Sequence, residues 1–206
     1  MAGKESFILV GVPLPCDFRA DARVVSMVEA WRSTSCMSYY PATRSAAEGQ
    51  DKIVQMALRM KPRPTHILFM DYDVLPRLNT LPKLLEHDKD IVSGVYPIVQ
   101  KCVISWCASK EEPFKAIPIN ELPENLFKAK TISNGMMLVK TEVFDNLEWP
   151  YWREEYKVGG VSLGADEYFF TKARKAGYDL WIDPKLKCNH FKTIDLLGMA
   201  FKYIKE

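Results

Sequence analysis

Hydrophobic and polar positions follow two different periods along the first hundred residues. Short apolar runs, SFILVGVPL, CMSYY and THILFM, are separated by segments in which apolar residues recur every three or four positions, DARVVSMVEAWRS and SAAEGQDKIVQMALRM. The runs are typical of buried strands, and the spaced segments are typical of amphipathic helices. The resulting order βαβαβ predicts the start of a doubly wound, mainly parallel sheet flanked by helices.

The second half continues with less regular elements. A helix is predicted at NTLPKLLEH, a strand at DIVSGVYP, and a small β-ribbon and loop region between Gln100 and Thr131, where prolines break short extended pieces. Beyond it the pattern predicts a strand (GMMLVK), a short helix (TEVFDNL), an aromatic loop (WPYWREEYKVGGVSLG), a helix ending at a glycine (ADEYFFTKARKAG) and a strand (YDLWID). With 48% hydrophobic residues, 206 residues suffice for one α/β domain over residues 1–206.

Composition narrows the functional classes. The net charge of +2, with acids and bases mixed, gives no general attraction to nucleic acid or to a membrane. No apolar stretch approaches the ~18 residues of a transmembrane helix, and we expect a cytoplasmic protein without a signal peptide. Five cysteines without a CxxC pair favour free thiols over a disulfide framework or a zinc site.

The segment FMDYDVLP places two carboxylates where a predicted buried strand ends. In an extended segment, Asp71 and Asp73 project to the same side, with oxygens ~7 Å apart or less. Ligands of open α/β sheets bind at the carboxyl ends of the strands, and two carboxylates there suit Mg²⁺ or Mn²⁺ shared with a diphosphate. Taken alone, the same pair is more typical of a turn, in which aspartate is common.

Four segments in order resemble the GT-A-fold glycosyltransferases, including family 2-like members: THILFMDYDVLP, DIVSGVYP, ISNGMMLVKTEVFDNL and GADEYFFTKARKAGYDLWIDPKLKCNH. The resemblance implies a single GT-A-like, Rossmann-type domain, with residues 7–99 as the nucleotide-binding half and residues 100–206 as the acceptor and catalytic half. It also implies a nucleoside-diphosphate sugar donor, UDP- or GDP-linked, and a hydroxyl acceptor on a glycan, small molecule or other compound. The nucleotide, the sugar, the acceptor and the stereochemical outcome stay open.

The resemblance implies a metal site of Mn²⁺ or Mg²⁺. Asp73 matches the metal-binding second aspartate, and Asp71 matches the first, which holds the donor ribose or a metal-bound water. His190 matches a late histidine that is a metal ligand in many members, and a neutral imidazole beside a carboxylate suits Mn²⁺ somewhat better.

The catalytic carboxylate is assigned by the same resemblance, with one departure. Counting back from the aromatic Phe169, the catalytic aspartate falls on Asp166, while the glutamate that usually precedes it is Ala165 here. Glu167 follows instead, so a shift of one residue gives it the role. Such a carboxylate takes the proton of the acceptor hydroxyl, or orients a sugar if the enzyme retains anomeric configuration. Acids at a helix start are also favoured by the macrodipole alone.

Donor and substrate contacts complete the assignment. The resemblance implies that the nucleotide sugar contacts Asp71 and Asp73 together with Pro13, Gln50, Asp51, Tyr72 and Lys192. It implies sugar or acceptor contacts at Asn134 and Gly135. In the aromatic loop, Trp149, Tyr151 and Trp152 form either an acceptor platform or part of the core, because aromatic rings serve both purposes.

Three other classes remain alternatives. ILFMDYDV also resembles the nucleophile motif of haloacid-dehalogenase-type phosphatases, although the later lysine and acidic site of that class are not evident. A nucleotidyltransferase requires a basic, glycine-rich loop after the first strand, and GVPLPCDFR is a poor version of one. A catalytically inactive nucleotide-sugar-binding module is the third, which Ala165 and Gln50 leave open.

Overall fold

The computed structural model describes residues 6–17, 19–100, 103–156 and 162–192. Within these ranges the strands are β1 (Ile8–Gly11), β2 (Cys36–Tyr39), β3 (His66–Met70), β4 (Val74–Leu75), β5 (Ile91–Val95), β6 (Pro97–Gln100), β7 (Val103–Trp106), β8 (Ile117–Pro118), β9 (Phe127–Ala129), β10 (Met136–Lys140), β11 (Glu155–Tyr156), β12 (Ser162–Leu163), β13 (Leu180–Lys187) and β14 (Asn189–His190). The helices are α1 (Ala22–Trp31), α2 (Ala46–Arg59), α3 (Thr80–Glu86) and α4 (Ala165–Lys175), with 3₁₀ turns at Ile119–Glu121 and Thr141–Asp145.

Seven strands form the central sheet, in the order β2-β1-β3-β10-β5-β13-β9. Strands β2, β1, β3, β5 and β13 run in one direction, whereas β10 and the edge strand β9 run against them. The predicted mainly parallel α/β sheet is therefore confirmed. The position of β10 between β3 and β5 did not follow from the sequence pattern.

Both faces of the sheet are covered because its strands are apolar on both sides. On β3, Ile67 and Phe69 pack in one buried cluster, with α2, α4 and the aromatic residues, while Leu68 and Met70 pack in another, with α1 and α3. This two-sided burial is the reason that the strand appears in the sequence as a continuous apolar run.

Local sequence determines the helix ends. Asp21 caps α1 by accepting the Arg23 N–H, and Ser45 caps α2 by accepting the Glu48 N–H. Beyond α4, Gly177 has φ +94°, the left-handed conformation expected at C′. The predicted helix TEVFDNL is a 3₁₀ turn instead, since a short segment with two β-branched residues has little helical stability of its own.

Smaller sheets of two or three strands lie beside the central sheet. The predicted β-ribbon is formed by β6, β7 and β8, and β4 pairs antiparallel with β14. Cys16, Cys36, Cys107 and Cys188 are free thiols, as expected, and Cys102 lies outside the described residues. None of the helices described here is long and apolar enough to cross a membrane.

Candidate active site at the carboxyl edge of the sheet

Asp71 and Asp73 follow β3 in a tight turn, not in the extended segment that the sequence predicted. The Val74 N–H donates to the Asp71 carbonyl at 3.2 Å, which closes the turn. The chain then pairs as β4 with β14, so that His190 lies opposite Val74 and the Phe191 N–H donates to the Asp73 carbonyl at 2.9 Å. This short ladder brings His190 next to Asp73 although the two are distant in sequence.

Asp73 and His190 have the geometry of a pair of metal ligands. His190 Nδ1 is 2.8 Å from the Pro97 carbonyl, which can only accept, so Nδ1 carries a proton, and in the neutral ring Nε2 keeps its lone pair for a metal. Nε2 is buried and 3.5 Å from Asp73 Oδ1. A carbonyl that fixes the tautomer of a histidine in this way is a common support for metal-binding histidines.

The donor set fits Mn²⁺ or Mg²⁺ held jointly with a ligand. Among the described residues, no three His, Cys, Asp or Glu side chains converge on one possible metal position. Asp73 and His190 would thus supply two donors, and the remaining positions would be left to water and phosphate oxygens, as is usual for these cations.

The charge of Asp73 is also held by Lys192, whose Nζ lies 2.6 Å from Oδ2. Burial alone would raise the pKa of Asp73, but the bond and charge of Lys192, together with the adjacent His190 ring when it is protonated, outweigh it and hold the pKa below its ordinary value. Asp73 is therefore ionised at neutral pH.

Asp71 faces the other side of the turn, towards β10. Its N–H donates to the Gly135 carbonyl at 3.0 Å, and its Oδ2 accepts from the Tyr96 hydroxyl at 3.4 Å. The same hydroxyl accepts the Gly135 N–H at 3.2 Å, and the Tyr96 ring packs edge-on against His190 at 4.8 Å. Burial and the charge of Asp73 raise the pKa of Asp71 to about 6.

Gly135 is required by the close approach of the Asp71 carboxylate. A Cβ at this position would lie 2.2 Å from Asp71 Oδ2, far inside contact distance. We expect Gly135→Ala to displace Asp71 and to destabilise the fold by about 1–3 kcal/mol, the usual range for overpacking a well-packed site. Urea denaturation measures this directly, with Gly164→Ala as the control, because a Cβ at Gly164 meets nothing within 4 Å. Equal stability of the two variants would contradict the assignment.

Asp166 lies in the first turn of α4 and is tied to the same edge of the sheet. Asn134, just before β10, donates through Nδ2 to Asp166 Oδ1 at 3.0 Å. Solvent reaches the Asp166 side chain, yet partial desolvation, followed by the charge of Asp71, raises its pKa to about 7. Because Asn134 binds Asp166 and not its neighbour Glu167, the contacts favour Asp166 as the carboxylate that faces the site.

An open cavity of about 550 Å³ lies beside Asp73, between the start of α1 and the end of β14. Its lining residues are Arg19, Ala20, Asp21, Tyr72, Asp73, Phe191 and Lys192. The Asp21 N–H donates to the Tyr72 carbonyl at 3.0 Å, and the Arg23 guanidinium packs 3.5 Å from the centre of the Phe191 ring. Two basic side chains and two aromatic rings next to the Asp73 carboxylate suit a nucleoside diphosphate.

A second cavity, of about 520 Å³, opens at the opposite end of the strands. Its charged side chains are paired with one another: Arg63 with Asp145 at 2.9 Å, and Lys140 with Asp88 at 2.9 Å. Arg19 and Lys192 of the other cavity are paired as well, with Asp17 and Asp73, so pairing does not distinguish the two. The cavity at Asp73 is preferred because it lies at the carboxyl ends of the strands, where α/β sheets bind their ligands.

Three residues predicted to contact the donor are buried. Gln50 and Asp51 are buried in α2, where Asp51 Oδ1 accepts the N–H groups of Tyr151 and Trp152 at 3.1 and 3.2 Å. This carboxylate anchors the aromatic loop, which is a structural role for Asp51, while the predicted donor contact of Gln50 stays a prediction. Pro13, also buried, packs against the position of Gly49.

The predicted acceptor platform is likewise corrected for Trp152, and for Tyr151 with it. Trp152 is 2% exposed and stacks on Phe169 at 4.3 Å between ring centres, so it cannot offer a ring face to an acceptor. Trp149, 65% exposed, is the member of this group that solvent reaches.

The structure thus brings together Asp71, Asp73, Asn134, Gly135, Asp166, His190 and Lys192, with Tyr72 in the cavity. Sequence reasoning missed Tyr96 and Arg19. Tyr96 lies near the end of the predicted strand DIVSGVYP and directly after β5, and this place at a carboxyl end was the available signal.

The sequence matches no protein-family model and no curated protein. Among solved structures, A197 from STIV matches with a TM-score of 0.66 and 16% identity, over 91% of this chain and 86% of that one. GalNAc-T7, in a structure with UDP, GalNAc and Mn²⁺, matches with a TM-score of 0.57 and 9% identity, over 95% of this chain and 45% of that one. The chain has a GT-A-like fold. At these identities the likeness establishes the glycosyltransferase-like fold alone.

Proposed function

We propose that this chain is a metal-dependent glycosyltransferase that moves a sugar from a nucleoside-diphosphate donor to an acceptor hydroxyl. The observation that carries the proposal is that Asp73 Oδ1 and His190 Nε2 lie 3.5 Å apart, as two possible metal ligands. They lie at the rim of a cavity that Lys192 and Arg19 also line. The GT-A-like fold supports it. So does GalNAc-T7, whose structure contains UDP, GalNAc and Mn²⁺.

In the proposed mechanism, Asp73 and His190 would hold Mn²⁺ or Mg²⁺, which when bound would neutralise charge on the leaving diphosphate. Lys192 and Arg19 supply further positive charge to the phosphates. Residues 7–99 hold most of the donor, with His190 and Lys192 contributed from residues 100–206. Asp71, fixed by Tyr96 and Gly135, lies on the sugar side of the turn and orients the donor.

Asp166 is the proposed general base. Its raised pKa, about 7, suits a carboxylate that must take a proton from an acceptor hydroxyl near neutral pH. Asn134 holds one of its oxygens, which orients the other for the acceptor. If the reaction retains anomeric configuration, Asp166 orients a sugar instead.

A donor panel tests the proposal. UDP-, GDP-, CMP- and dTDP-sugars are compared in thermal-shift experiments with and without Mn²⁺. A donor at ~100 times its dissociation constant stabilises the fold by ~2.7 kcal/mol, so we expect a metal-dependent rise in melting temperature with one nucleotide class, UDP or GDP. The matching donor is then tested for nucleotide release with candidate acceptors. Binding without any transfer would identify an inactive binding module, and no shift with any donor would refute the proposal.

A further inference from the structure

The two oxygens of the Asp73 carboxylate have different partners. Oδ1 faces the free lone pair of His190 Nε2 at 3.5 Å, whereas Oδ2 accepts from Lys192 Nζ at 2.6 Å. The Asp73 side chain is only 10% exposed, but that of Lys192 is 55% exposed. A buried carboxylate is therefore neutralised by an ammonium group at the end of a flexible side chain that extends in from solvent.

A divalent cation between Oδ1 and Nε2 would share this carboxylate with the ammonium group. Two positive charges on one carboxylate repel each other, and the low exposure of Asp73 limits the screening of that repulsion by water. Lys192 therefore disfavours the metal when the metal binds alone.

When a diphosphate is bound, the metal and the Lys192 ammonium group favour each other's binding and no longer compete for Asp73. Lys192 lines the cavity beside Asp73 together with Arg19, and its long side chain can turn from Oδ2 to a phosphate oxygen in that cavity. Lysine is a common phosphate ligand, and binding by charge without a fixed planar geometry makes such a change of partner easy. Once the phosphate charge is present, the metal and the ammonium group both bind it.

We propose that Lys192 couples the two ligands, so that the metal and the nucleoside diphosphate bind as a pair and each binds weakly alone. This inference rests on the proposed function, since it takes Asp73 and His190 as metal ligands. Its alternative is that Lys192 only stabilises the turn at Asp73. The two differ in what the loss of the ammonium group does to Mn²⁺ binding in the absence of nucleotide.

Calorimetric titrations on the whole chain at one fixed pH distinguish them. Mn²⁺ is titrated alone and with saturating UDP, and UDP alone and with saturating Mn²⁺, with GDP in parallel and free concentrations corrected for the Mn²⁺–nucleotide complex. Lys192→Met keeps the apolar stem and removes the charge, and Lys192→Gln is the second variant should the first fold poorly. Lys185→Met, on the exposed side of β13, is the matched control.

We expect Lys192→Met to bind Mn²⁺ alone about 10-fold more tightly than the wild type. We also expect the factor by which UDP and Mn²⁺ strengthen each other to fall about 10-fold, equally in both directions of the cycle. Lys185→Met should leave both quantities unchanged. Unaltered or weaker Mn²⁺ binding in both Lys192 variants, with the mutual strengthening intact, would overturn this inference and leave the proposed function standing. Absence of Mn²⁺ binding in every variant, with or without nucleotide, would overturn the proposed function and this inference with it.

Discussion

Asp166→Asn is expected to lower turnover by about 10²–10⁴-fold, the contribution of a positioned general base, while the affinities for nucleotide and metal stay nearly constant. The amide keeps the shape of the side chain and its place beside Asn134 but cannot take a proton. Steady-state kinetics with the matching donor, together with calorimetric binding of Mn²⁺ and nucleotide, separate the two effects. A collapse of donor affinity would show instead that Asp166 serves in binding.

Glu167→Gln is the matched comparison on the same helix. Glu167 is turned about 100° from Asp166, and the Asn134 contact goes to Asp166, so a much smaller loss of turnover is expected. If the large loss falls on Glu167→Gln and spares Asp166→Asn, the catalytic role belongs one residue further along the chain.

The same Asp166→Asn variant carries a second readout in its stability. The pKa of Asp166 in the fold, about 7, lies above its ordinary value of 3.8, so the folded protein loses stability relative to the unfolded chain as the pH rises from 3.8 to about 7. Asparagine has no such cost. The melting temperature of Asp166→Asn should therefore exceed that of the wild type at pH 8, with the difference vanishing near pH 4. A constant difference across this range would show that Asp166 is not desolvated in the fold.

Asp73→Ala is expected to abolish metal-dependent donor binding, a loss of at least about 100-fold in Mn²⁺ affinity. Mutating a residue that only hydrogen-bonds to a metal ligand typically lowers metal affinity about 10–100-fold, and Asp73→Ala removes the ligand itself. His190→Ala should weaken Mn²⁺ binding as well, because it removes the nitrogen donor. Calorimetric titration of Mn²⁺ in the presence of saturating nucleotide measures both.

Asp145→Ala is the control for these variants. Asp145 is a half-exposed carboxylate paired with Arg63 at the opposite end of the strands, so its removal should leave Mn²⁺ affinity unchanged. Circular dichroism should show that all three variants remain folded. If Asp73→Ala and His190→Ala bind Mn²⁺ and nucleotide as the wild type does, the metal does not lie between these side chains.

The parts of the fold that sequence predicted well are those whose cause is local. Apolar residues on both faces of HILFM predicted β3, a glycine in the left-handed conformation marked the end of α4, and the extended pieces between Gln100 and Thr131 formed the expected ribbon. The edge at which Asp71 and Asp73 lie followed from the general rule for α/β sheets.

The parts that sequence missed depend on contacts between distant segments. Nothing near Asp51 in the sequence indicates that its carboxylate accepts the N–H groups of Tyr151 and Trp152. Because Asp51 is polar and its helix resembles a donor-binding segment, the sequence predicts a contact with the ligand instead. From the sequence alone, the Trp152 ring is compatible with packing in the core and with binding an acceptor. Its stacking on Phe169 in the fold identifies it as a core residue. The Lys192 bond to Asp73 likewise depends on how β14 returns beside β4.

The insertion of β10 between β3 and β5 has a consequence for synthesis of the chain. During translation β3 and β5 both emerge well before β10, and each then presents an unpaired, apolar edge to solvent or to the other strand. Because the two strands run in the same direction in the final sheet, a premature direct pairing of β3 with β5 would bury their apolar side chains and yet exclude β10. Such a pairing would have to reopen before Gly135 can meet Asp71, so the edge that carries Asp71 can form only after β10 has joined the sheet.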